Sequence, residues 1–174
     1  MPEPRLSLPL ISAEPLCVSV TRGTGEESCH NVDVAVCDAD GGVLIGLGDI
    51  ERGVFPRSAM KPLQALALAE KWTELDQQQR LSPAEFSLIC ASHNAQSEHV
   101  EAVRHLLGKF GLSPDLLACG AHWSGDQTVM IEQVRSFKTP ERIHNNCSGK
   151  HSGMLILASL MGVDPEGYAD LAHP

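Results

Sequence analysis

Two alternating runs, NVDVAVCD and GVLIGLGD, flank the turn DADGG between positions 31 and 49. Successive side chains of a strand point to opposite faces, and Asp/Gly pairs accept the backbone of a tight reversal, so this stretch predicts a β-hairpin. With PLCVSVTRG before it, a three-stranded antiparallel start is expected. The hydrophobic period then changes. RLSPAEFSLIC offers Ser82 as N-cap, Pro83 at the first helical position and Glu85 three residues on, the signature of a capping box. SEHVEAVRHLLGKFG places Val100, Val103, Leu106, Leu107 and Phe110 on one helical stripe and ends at Gly111. DQTVMIEQVRSF reads as another amphipathic helix, and HSGMLILASLMG is apolar almost all round, as a helix in the centre of a domain would be. DPEGYADLAHP opens as a further helix at Asp164 and Pro165. Strands first and helices after predict an α+β fold, an antiparallel sheet with helices, as a single domain over residues 1–174.

The chain has 174 residues, 43% of them hydrophobic, enough for a sizeable core. A net charge of -9 repels a phosphate backbone, so nucleic acid is not an expected partner. LSLPLISA near the start is too short to span a bilayer and is broken by Pro9, and no membrane role is expected. The six cysteines read as reduced thiols or ligands in a cytoplasmic protein, with Cys17, Cys29, Cys37 and Cys90 packing as small hydrophobes.

The chemistry concentrates in two short stretches. In PRSAMKPLQALALAEKW, Pro62 lacks an N–H and is tolerated only in the first turn of a helix, so the helix begins near Ser58 to Met60. Ser58 and Lys61 then project from one side of that turn. Ser58 is either an ordinary N-cap or a nucleophile with Lys61 as its base. In HNNCSGKHSGM, Cys147 and Lys150 repeat the nucleophile-to-lysine spacing in a turn of small residues. The stretch is not a phosphate-binding loop, because His144 and His151 stand where that pattern needs Gly and Ser or Thr. If Lys61 and Lys150 face one pocket, the repulsion of two ammonium groups favours the neutral form of one, which can act as base.

With ASHNAQSEHV and CGAHWSGD alongside PRSAMKPLQ and NNCSGKHSGM, the chain resembles the L-asparaginase II family, the Rhizobium etli type of L-asparaginase, from about Val18 onward. The resemblance implies a fold like part of the serine β-lactamases and glutaminases, and hydrolysis of L-asparagine to L-aspartate and ammonia. By motif matching it implies Ser58 as nucleophile, Lys61 as base, Ser92 as a second hydroxyl relaying protons, and Lys150 beside them. Cys147 is implied as a ligand to zinc. Arg57 and His151 are expected to line the substrate pocket, and His93 is the best candidate among the other histidines. Ser124 stands where the family motif carries proline, which is expected to loosen that loop. Members of the family are longer, so the chain is expected to be an N-terminal half with an incomplete metal site. Cys119 and His122 have ligand-like spacing, but two ligands do not make a site. A truncated, inactive binding or assembly module, self-associating as a homo-oligomer, is the alternative. A penicillin-binding-type acyl transferase ranks below both, since the SDN and KTG segments of those enzymes are not found downstream.

Overall fold

The Asp38 turn forms as its sequence requires: the Asp38 carboxylate accepts from the N–H groups of Asp40 and Gly42 at 3.0 and 2.7 Å. It joins β4 (Val34–Cys37) to β5 (Val43–Leu47) in antiparallel register. In this computed structural model, which describes residues 8–136 and 138–174, the remaining strands depart from the expected three-stranded start. β1 (Leu10–Ser12) adds parallel to β5, giving the order β1-β5-β4. β2 (Leu16–Arg22) instead pairs antiparallel with β3 (Gly25–Val32) in a separate two-stranded sheet. The reason lies at Asp33, between β3 and β4. Its carboxylate is taken by Asp49 N–H at 3.1 Å and by Arg52 at 2.7 Å, which ends one strand and begins the next. Gly48, at φ 76°, permits this approach, because a Cβ there would lie 2.1 Å from the Asp33 carboxylate.

Cysteine usage also differs from expectation. Cys17 and Cys29 are diagonal neighbours across β2 and β3 and form a disulfide, with Cα atoms 6.3 Å apart. Cys37 is exposed rather than packed, and Cys90 is half-buried.

Contacts divide the chain into two units, one ending at Phe55 and the other spanning Pro56–Pro174. The second is helical: α1 (Lys61–Glu70), α2 (Pro83–Cys90), α3 (Ser97–Gly108), α4 (Gln127–Arg135) and α5 (Ser148–Leu160). With the sheets this makes an α+β arrangement. The α3 stripe behaves as read, with Val103, Leu106 and Leu107 fully buried. Leu155 and Ile156 of α5 enter two apolar clusters, one with Leu107 and Leu117, the other with Leu68 and Leu106. The segment after Asp164 forms turns rather than the expected helix, and Gly167, at φ 78°, turns the chain away from helical geometry.

The capping box of α2 is present, with Ser82 and Glu85 bonded reciprocally. Glu85 is also 8% exposed and is met by Lys109 from beyond α3 at 2.7 and 2.8 Å. Burial pushes its carboxyl up, but the hydrogen bonds from Lys109 and Ser82 and the lysine charge outweigh it, holding the carboxyl below its ordinary value. Glu85→Gln is expected to cost roughly 1–3 kcal/mol in urea unfolding at pH 7, since it strands Lys109. A carboxyl whose folded value is depressed stabilises at pH above its unfolded value, so the difference from wild type should shrink as pH falls below about 4.

Candidate active site

Arg57–Met60 form a 3-10 turn that runs directly into α1. The N-cap of α1 is Met60, with no side-chain capping bond, and Pro62 sits in the first turn, so Ser58 is not capping this helix. Its hydroxyl lies on an exposed turn without a hydrogen-bond partner among the described residues. Arg57 before it has φ 47°, a left-handed conformation that costs a non-glycine residue energy and is concentrated at functional sites. Lys61 is the opposite in exposure, at 2%. Its ammonium reaches across to the loop after α2, donating to Ala91 O at 2.8 Å and to Ser92 Oγ at 2.7 Å. Lys61, three residues after Ser58, is thereby joined to Ser92.

The second stretch arrives at the same place. Cys147 is the N-cap of α5, and the asparagines before it are staples: Asn145 Oδ1 accepts from Cys147 N–H at 2.8 Å while Asn145 Nδ2 donates to Gly120 O at 2.6 Å. Asn146 N–H donates to His122 Nε2 at 3.2 Å. So held, the first turn of α5 presents Cys147 and Lys150 to an open cleft of about 240 Å³ that Arg57, Ser58, Lys61 and Gln64 also line. Lys61 and Lys150 meet again at a cavity of about 20 Å³ walled by Leu68 and Ile89. The convergence expected of the two lysine-bearing turns is therefore what the fold produces. Gln64 was not singled out from sequence, although positions 58, 61 and 64 recur at the spacing of one helical face.

The histidines divide by role. His93 is 5% exposed and does not line that cleft. Its Nδ1 accepts from Ala95 N–H at 3.1 Å, so its Nε2–H donates to Ser148 Oγ at 2.8 Å, and the Ser148 hydroxyl donates in turn to Ile143 O at 3.0 Å. His93 thus ties the Ser92 loop to α5. His151 is half-buried, with Nδ1 2.6 Å from Tyr168 Oη, which itself accepts from Ala118 N–H at 2.8 Å. Tyr168 was missed because its segment was read as the start of another helix. Burial, helped by His99, Lys61 and His122, lowers His93 to about 4; burial, helped by Lys150 and Lys61, lowers His151 to about 4 as well. Both are neutral when folded, whereas the unfolded chain takes up their protons between about pH 6.5 and 4. Stability is therefore expected to fall as pH drops through that window, by up to about 1.4 kcal/mol per pH unit for each histidine. Urea unfolding at pH 7 and pH 5 checks this; equal midpoints would contradict it.

Ser124 does not loosen its loop. It is 4% exposed, its hydroxyl donates to Asn94 O and accepts from Asp126 N–H, and its N–H donates to Gln133 Oε1 at 3.2 Å. Zinc asks for three or four converging donors. Cys147 and Cys119 are close enough to influence one another electrostatically, but among the described residues no three His, Cys, Asp or Glu side chains form such a group. His122 Nε2 is already committed to Asn146.

A hydroxyl, two lysines and a guanidinium on one cleft are equipment for attacking a small substrate that carries negative charge. Residues 18–174 match the family model described as L-asparaginase II, and the chain belongs to that family. Membership carries an asparaginase-like, amide-hydrolysing function on a small-molecule substrate. Comparison with curated proteins finds no match. Among the described residues no helix is long and apolar enough to cross a membrane.

Proposed function

We propose that the cleft hydrolyses L-asparagine to L-aspartate and ammonia through an acyl-enzyme on Ser58. In the form that acts as base, Lys61 carries two hydrogens, which go to Ala91 O and Ser92 Oγ, and its lone pair receives the Ser58 proton. Ser58 Oγ attacks the side-chain amide carbon of the substrate. The tetrahedral intermediate collapses as the C–N bond breaks, and the proton now on Lys61 passes through Ser92 to the departing ammonia. Water then attacks the ester, giving up its proton along the reverse route, and Ser58 is released with its hydroxyl restored. Lys150 adds a second positive charge to the cleft, and Arg57 binds the substrate carboxylate. His151, kept neutral by burial and bonded to Tyr168, borders the pair without adding a third cation. His93 serves by positioning the Ser92 loop.

The observation that carries this reading is the placing of Ser58, Lys61 and Lys150 on one cleft, with Lys61 bonded to Ser92. Lys61→Met keeps the length of the buried chain and removes the base. Ammonia release from L-asparagine is expected to fall on the order of 10³-fold, with little change in the circular dichroism spectrum. Retention of turnover by this variant would remove Lys61 from the mechanism.

A further inference from the structure

A second recess, of about 440 Å³, lies among α3, α4 and residues 138–144, and shares no lining residue with the Ser58 cleft. Two of the side chains that line it, Gln133 and His144, are each only 8% exposed. Each has one end engaged by the backbone: Gln133 Oε1 accepts from Ser124 N–H at 3.2 Å, and His144 Nδ1 accepts from Glu141 N–H at 3.0 Å. Those bonds set the amide orientation and the imidazole tautomer, leaving the Nε2 of both residues as N–H donors. Neither donor has a protein partner among the described residues. Neither is among the fully sealed side-chain atoms that lack a hydrogen bond. Both side chains line the recess, and a donor on so deeply set a side chain is short of an acceptor.

The charges around these donors are arranged to supply more than a water site. Arg104 of α3 and Lys138 line the recess, and both act electrostatically on His144, as does Glu141. Glu101 of α3 and Glu132 of α4 line it too. Among the described residues the side chains of Arg104, Lys138, Glu101 and Glu132 form no hydrogen bond or ion pair with one another or with anything else. Unpaired cations beside two buried donors fit a carboxylate, and unpaired carboxylates on the facing helices fit an ammonium group. We propose that this recess is a second binding site, for a free α-amino acid. The carboxylate lies on Gln133, His144, Arg104 and Lys138, and the ammonium on Glu101 and Glu132.

The site is wired to the loop that carries Ser92. Gln133 holds Ser124, and the Ser124 hydroxyl donates to Asn94 O. Ala95 lines the recess, has φ 55°, and donates its N–H to His93. A ligand that draws on Gln133 or Ala95 therefore bears on the setting of Ser92. That regulatory consequence rests on the catalytic reading above; the binding itself does not.

The test is a titration of the whole chain with L-aspartate, followed by nitrogen-proton correlation spectra. Saturable shifts are expected at the Gln133 side-chain amide and the His144 ring, with a Kd on the order of millimolar. Arg104→Gln combined with Lys138→Gln, both at exposed positions, should weaken binding at least about tenfold. Arg57→Gln should leave these shifts unchanged. Succinate, which lacks the ammonium group, should bind several-fold more weakly. Shifts that never saturate, a double variant that binds as well as wild type, or succinate binding equal to L-aspartate would overturn the proposal. Saturable shifts in Ser58→Ala protein, whatever its turnover, support the recess separately from the catalytic reading.

Discussion

Ser58→Ala is expected to lower ammonia release from L-asparagine by on the order of 10⁵-fold while leaving the fold untouched. The hydroxyl sits on an exposed turn and makes no hydrogen bond among the described residues, so its removal disturbs no structural contact. Under the proposed mechanism it removes the atom that is acylated. Lys61 keeps its bonds to Ala91 and Ser92 in the variant, so any loss is attributable to the nucleophile and not to a collapsed cleft. The measurement is ammonia release from L-asparagine by wild type and variant, with unfolding midpoints taken in parallel. Undiminished turnover in Ser58→Ala would falsify the acyl-enzyme assignment. Cys147, the other candidate nucleophile on the cleft, would then be the residue to change next.

Gly149→Ala is expected to have the largest effect on stability, and its sign is opposite to what helix propensity predicts. Alanine is favoured over glycine inside a helix by about 1 kcal/mol. Here a Cβ would lie 2.3 Å from Leu88 O and 2.9 Å from Leu88 C, both backbone atoms of α2. Neither can rotate away, so α2 and α5 must separate. A loss of about 3 kcal/mol and a fall in Tm of roughly 10 °C are expected. Gly153→Ala provides the contrast, since its new Cβ would meet Ile89 Cγ2 at 2.6 Å, a side-chain atom rather than helix backbone. It should cost about 1 kcal/mol. Because Cys147 and Lys150 leave the first turn of the same helix, Gly149→Ala should also lower activity in whatever protein remains folded. A Gly149→Ala protein as stable as wild type would show that α2 and α5 do not approach this closely.

Features that depend on neighbours along the chain were legible beforehand. The Asp38 turn, the Ser82/Glu85 capping box, the α3 stripe and the start of α1 near Pro62 all follow from residues within a few positions of each other. Their causes are backbone stereochemistry, local hydrogen bonding and side-chain periodicity, none of which needs a distant partner. The same reasoning failed where a distant partner decided the outcome. Asp33 interrupts a strand because Asp49 and Arg52 capture its carboxylate. Ser124 looked like a loosened proline position, yet Asn94 and Gln133 hold it. Cys17 and Cys29 looked like separate thiols, but the β2–β3 register sets them diagonally across one ladder.

By itself the sequence determined an α+β chain with two turns that each put a lysine three residues after a serine or cysteine, and it carried the motifs of the L-asparaginase II family. Tertiary structure alone decided that both turns open on one cleft, that Lys61 reaches Ser92 31 residues away, and that His93 braces that loop against Ser148 55 residues away. Spacing along a chain governs only what one turn of helix or strand can reach. Contacts over longer separations depend on how closely helices approach, and at Gly149 that approach is set by the absence of a side chain.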